Sequence, residues 1–140
     1  MSSKGIDELG RTLLHYAAGD ARPDRVAELL TSGADASAQD GNGWTALHFA
    51  AQARSAECVA LLLRAGADPS LQDSDGNTAL FRAVYWSGGE GAVIGLLRQA
   101  GADPFTKNHH GVSPISLARI IDNHDVAQFF ADLPDSQDVA

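Results

Sequence analysis

A repeat of 33 residues constrains this chain more than any other feature. Thr12, Thr45, Thr78 and Ser113 follow one another at steps of 33, 33 and 35 residues, and self-similarity at such a period marks stacked supersecondary units rather than one closed core. The same register aligns Leu14, Leu47, Leu80 and Ile115. It also aligns the blocks Ser32-Gly33-Ala34-Asp35, Ala65-Gly66-Ala67-Asp68 and Ala100-Gly101-Ala102-Asp103. Two independent landmarks share one period, so the units are expected to be structural copies.

Each unit reads as two helices and a turn. The Thr or Ser stands where a first helix begins, its hydroxyl able to cap free backbone N–H groups, and a short Ala-rich stretch follows, as in Thr45-Ala46-Leu47-His48-Phe49-Ala50-Ala51. After a break comes a second apolar run with helical spacing: Val26 to Leu30, Val59 to Leu63, Val93 to Leu97 and Val126 to Phe130. Gly33, Gly66 and Gly101 then fall where a helix C-terminus calls for positive φ. Links such as Asp40-Gly41-Asn42-Gly43 and Asp73-Ser74-Asp75-Gly76-Asn77 carry turn chemistry and should form a hairpin-like connection to the next unit.

The second unit holds Asp40, Gly43, Thr45, Leu47, His48, Ala50, Ala51, Leu62, Gly66, Ala67 and Asp68 at fixed offsets. In this it resembles the ankyrin repeat, whose pattern runs Asp, two variable residues, Gly, one variable residue, Thr-Pro-Leu-His, Ala-Ala, Leu-Leu and Gly-Ala-Asp. The first unit keeps Asp7, Gly10, Thr12, Leu14, His15, Ala17 and Ala18. The third has Phe81 and the fourth Ser116 where the pattern has His, and only the fourth has the Pro, as Pro114. The resemblance implies an all-α solenoid of four helix-turn-helix units over residues 6–39, 40–72, 73–107 and 108–133, with short tails at 1–5 and 134–140. A single unit cannot bury both of its faces, so the first and fourth are expected to be caps. The polar tail from Pro134 is expected to fray.

Charge and composition narrow the function. A net charge of -8 opposes phosphate backbones and anionic lipid, which disfavours nucleic acid and membrane surfaces and favours a neutral or basic protein partner. No run approaches the ~18 apolar residues of a membrane helix, and Met1-Ser2-Ser3-Lys4-Gly5 leads into polar sequence without an apolar leader. A cytoplasmic protein, monomeric when free, is therefore expected. Cys58 is the single cysteine; it has no internal disulfide partner and sits in an apolar run as a small hydrophobe.

No arrangement in the sequence points to catalysis, a metal or a cofactor. The resemblance implies that His15 and His48 tie neighbouring turns together. Adjacent His109 and His110 diverge too far to make a metal pair alone. The stretch from Asp73 to Asn77 lacks the Gly and Glu that a calcium loop needs at its sixth and twelfth positions, occupied here by Thr78 and Val84. No phosphate loop or nucleophile elbow occurs.

What the repeat leaves variable is the expected concave face. Its positions are Glu8, Leu9, Arg11, Gly19 and Asp20; Gly41, Asn42, Trp44, Gln52 and Ala53; Ser74, Asp75, Asn77, Tyr85 and Trp86; and His109, His110, Val112, Ile120 and Ile121. From these, Arg11, Asn42, Trp44, Gln52, Asp75, Asn77, Tyr85, Trp86, His109, His110 and Val112 are the candidate partner contacts. Trp44, Tyr85 and Trp86 should face one surface as anchors. The two extra residues of the third step place an aromatic-tipped loop at Tyr85 to Gly91. The expected function is binding of another protein without catalysis; the alternative is stoichiometric inhibition of a partner enzyme, in the manner of an immunity or antitoxin protein, since no second domain is visible to which a partner could be delivered.

Overall fold

The computed structural model describes residues 7–88, 90–121 and 124–133; the tails expected at 1–5 and 134–140 lie outside these. Among the described residues all regular structure is helical, in four pairs: α1 (Leu13–Gly19) with α2 (Pro23–Thr31), α3 (Ala46–Gln52) with α4 (Ala56–Arg64), α5 (Ala79–Trp86) with α6 (Ala92–Gln99), and α7 (Pro114–Ile120) with α8 (His124–Ala127) and a 3-10 turn, Gln128–Phe130. The first helices stack as an inner row, α1 on α3 on α5 on α7. The second helices form an outer row, α2 on α4 on α6.

The start of every inner helix is set by its hydroxyl residue. Thr12, Thr45, Thr78 and Ser113 have extended backbone, and their side chains accept from the N–H three residues on. In α1, α3 and α7 the third residue, His15, His48 or Ser116, returns a bond to the cap's own N–H. Phe81 has no atom able to do this, so α5 keeps only half of the device.

The outer helices end as the glycines predict. Gly66 has φ +88, the Ala67 N–H reaches the Leu62 carbonyl at 3.0 Å and the Gly66 N–H reaches Leu63 at 3.0 Å. This left-handed cap satisfies carbonyls that the helix leaves open, and Gly33 and Gly101 repeat it.

The hairpins interlock. Gly41 N–H donates to Leu9 O, Ser74 to Asn42 O and His109 to Asp75 O, so each tip is bonded to the one before it. Gly43 sits at φ +78 with the Asp73 backbone 2.9 Å from where a Cβ would stand. A side chain there would collide with the next hairpin.

Two histidines carry these ties into the interior. Nδ1 of His48 accepts the Thr45 N–H at 3.1 Å, leaving Nε2 to donate to the Asn77 carbonyl of the next unit at 2.8 Å. His15 does the same between Thr12 and Trp44 O, at 2.9 Å on each side. Phe81 cannot continue the series. Between the third and fourth units the Asn108 amide donates to Asn77 Oδ1 at 2.9 Å instead.

Burial, before all else, pushes the His48 imidazole below its ordinary value of 6.5, because a charge there would lose its water. Below pH 6.5 the unfolded chain takes up a proton at this residue that the folded chain still refuses. Stability is thus complete above 6.5 and declines as pH falls toward the depressed folded value. Urea denaturation at pH 7.5 and 5.5 should show a larger loss for the native protein than for His48→Gln; equal losses in the two would overturn this account.

The core is a strip of aliphatic and small side chains between the two rows. Leu14, Leu47, Leu62, Leu80, Ile94, Leu97, Ile115 and Phe130 are at most 2% exposed. Small residues Ala18, Ala50 and Ala51 let the inner helices approach, and Cys58 is fully buried as expected; burial pushes its thiol upward. At the N-terminal end Leu13 is 47% exposed, whereas Ala46 and Ala79 in the same register are 1% and 0% exposed. In the first unit, then, this register position is apolar and open to water.

Candidate partner-binding face

The leading residue of each hairpin turns its side chain back into its own turn. Oδ1 of Asp40 accepts from the N–H groups of Asn42 and Trp44, and Oδ1 of Asp73 from those of Asp75 and Asn77, all at 2.9 Å. Asn108 fills the same role for His110 and Val112 with its amide oxygen. Asp7 does so for Leu9 and Arg11, and the Tyr16 hydroxyl, its strongest partner, holds the Asp7 carboxyl below the usual range.

Both central aspartates keep a second oxygen for an arginine. Arg11 Nε lies 3.4 Å from Asp40 Oδ2, and Arg82 Nη2 lies 3.0 Å from Asp73 Oδ2; the two carboxylates are 0% exposed and the arginines 28% and 17%. A carboxylate so shielded needs both its hydrogen bonds and its counter-charge. In turn it holds each guanidinium over aromatic rings. Arg11 stands 5.9 Å from the Tyr16 ring centre and 5.2 Å from that of Phe49. Phe49 meets Trp44 at 4.8 Å, and Arg82 lies 4.5 Å over Trp44. Tyr16, Arg11, Phe49, Trp44 and Arg82 thus form one strip across three units at the hairpin end of the inner helices.

Tyr16, Phe49 and Arg82 were not among the residues expected from the sequence. Each stands four residues after its capping threonine, one turn into the helix and so on the same side as that threonine. That register was the available signal.

The expected contacts divide. Arg11 and Trp44 lie in the strip, and Trp44 is half-buried under Arg82 rather than free. Asn42, Asp75, His109 and His110 are exposed at the hairpin tips, while Gln52 and Val112 are half-buried, Val112 packing on the core. The reading of Asn77 as a partner contact is corrected: it is 6% exposed and its side chain is taken by Asn108. The reading of Tyr85 and Trp86 as tips of an inserted loop is also corrected. Both are the last residues of α5, 56% and 44% exposed, and they meet each other at 5.3 Å. The loop proper follows them, and it begins with Ser87, which is buried. Nor do the three aromatics form one cluster, since Trp44 and the Tyr85–Trp86 pair stand at opposite ends of the inner helices. Ile120 is 66% exposed on α7 in the register position of Tyr85.

A model of the ankyrin repeat family, in three copies, matches residues 14–108. The chain belongs to the ankyrin repeat family. Ankyrin repeats generally mediate protein–protein interaction and are typically non-catalytic. The matched span stops before α7, and the fourth helical unit is carried by the packing of α7 on α5. Comparison with curated proteins finds no match. A cavity of about 370 Å³ lies behind this face, lined by Gly91, Ile94, Gly95, Arg98, Gln99 and Phe129. Its one titratable group, Arg98, is occupied by Asp132 at 2.9 Å. No described helix is long and apolar enough to cross a membrane.

Proposed function

We propose that this chain is a non-catalytic binding module that holds one neutral or basic partner protein, in the cytoplasm, on the face formed by its inner helices and hairpin tips. The supporting observation is the pairing of a rigid Arg–aromatic strip with exposed Tyr85, Trp86 and Ile120 on one row of helices. Large aromatic and arginine side chains of this kind dominate interface energetics. Their fixation lowers the ordering cost of binding.

The test uses the full chain as bait, with identification of captured proteins by mass spectrometry and measured affinity for the main one. Tyr85→Ala with Trp86→Ala should weaken that affinity by about 2 kcal/mol or more without lowering the melting temperature, whereas Arg64→Ala on the outer row should leave it unchanged. Loss on the outer row with retention on the inner would place the site elsewhere. If the captured protein is an enzyme, its activity in the complex decides whether the module inhibits or only tethers it.

A further inference from the structure

One register position of the outer row changes its chemistry in the third unit. Leu30 and Leu63 stand three residues before the capping glycines Gly33 and Gly66, half-buried and packed on the core. The same position before Gly101 is Arg98, and its guanidinium is spent on the chain that follows α8. Nη1 donates to the Phe129 carbonyl at 2.7 Å and to Asp132 Oδ1 at 3.0 Å, while Nη2 donates to Asp132 Oδ2 at 2.9 Å. The guanidinium also stands 5.5 Å from the Phe130 ring centre. Two parallel bonds to one carboxylate fix direction as well as distance.

A second change in the register serves the same segment. Gly91 stands where α2 and α4 have their first residues, Pro23 and Ala56. Its φ of -102 is open to any residue, so what the glycine supplies is space: a Cβ there would run into the Phe129 ring. α6 thus offers a seat for a ring and a clamp for a carboxylate. What they hold is otherwise thinly attached. α8 is four residues long where α2, α4 and α6 have nine, nine and eight, too short to stand without tertiary support. Burial of Phe130 favours closure, but ordering the residues around it opposes closure to a comparable extent. A clamp of modest strength then sets the balance.

We propose that residues 128–133 form an ionic latch on the last unit: Arg98 and Asp132 close it, and screening or removing their contact lets that unit open while the first three stay folded. Asp132 is 64% exposed, so salt ions reach the pair. The aliphatic contacts of Leu30 and Leu63 have no charge to screen. Opening bares Phe130, fully buried when the latch is closed, and removes the support that α8 gives to α7, which carries Ile120 on the inner row. The latch does not depend on which face binds a partner.

Amide hydrogen exchange on the full chain reads the latch directly. The Ala131 and Leu133 N–H groups are bonded within the segment, to the Gln128 and Phe130 carbonyls, and the Ala67 N–H, bonded to Leu62 O in the second unit, is the internal reference. Asp132→Asn and Arg98→Gln should each speed exchange at Ala131 and Leu133 by about threefold to fivefold relative to Ala67. Raising sodium chloride from roughly 0.05 to 0.5 M should do the same in the native protein and have little effect in Asp132→Asn. Arg98→Leu, which restores the residue of the first two units, should also open the segment. Unchanged exchange in Arg98→Leu would show that packing alone holds the unit. Equal acceleration at Ala67 would show that the stack opens as a whole. A native segment that is unprotected, or insensitive to salt, would overturn the latch as well. Asp132→Asn alters a mostly exposed side chain and decides the matter even where an Arg98 variant fails to fold.

Discussion

Replacing Leu62 with alanine should cost about 2 to 5 kcal/mol. The side chain is fully buried in α4, in a core that also takes side chains from α2, α3 and α6, and the Leu62 carbonyl accepts the Ala67 N–H that closes the helix. Helices held at both ends by hairpins and caps have little room to collapse into the space left. Leu47, 1% exposed in α3, should behave alike. The effect is large for a second reason. Each unit contacts only its neighbours, so weakening the second one uncouples the first from the third. A broadened transition, or a lower dependence on denaturant, should accompany the loss. Leu63→Ala, at a half-buried position, is the control and should cost less. A loss at Leu62 below about 1 kcal/mol in urea denaturation would show that the core lies elsewhere.

Asp73→Ala should be as damaging, at about 3 to 5 kcal/mol, although an aspartate in a turn looks like a surface residue. Its carboxylate is shielded and serves three groups at once: the N–H groups of Asp75 and Asn77 and the Arg82 guanidinium. Removing it strands two donors and leaves Arg82 as an uncompensated charge, 17% exposed, against Trp44. Asp73→Asn separates the parts, since Asn108 shows that an amide oxygen can hold the hairpin alone. That variant should keep the turn and lose the ion pair, costing clearly less than the alanine variant. Equal losses for Asn and Ala would mean that the charge, not the turn, is what the aspartate supplies. Loss of Arg82 order should also free the Trp44 ring, visible as a change in its fluorescence.

Most of the architecture is legible in one dimension because a repeat sets it locally. Thr45 caps, His48 reaches across one turn, Leu47 and Leu62 fall on one stripe, and Gly66 takes the positive φ that ends a helix; each depends on residues within a few positions. The same locality limited the reading of the binding face. Asn77 and Trp44 occupy variable positions, and variability alone made them candidates. Which side chain is free there depends on residues more than thirty positions away: Asn108 covers Asn77, and Arg82 covers Trp44. Tyr85 and Trp86 looked like parts of a loop because the two extra residues follow them, yet α5 runs one residue longer than α1 and α3 and keeps them helical. Sequence by itself determined the period, the helix starts, the glycine-capped ends of the outer helices and the aliphatic core, since these follow from backbone chemistry repeated in each unit. Only the tertiary structure decided which arginines are clamped, which rings are covered and which are left open, because those outcomes are set by contacts between units.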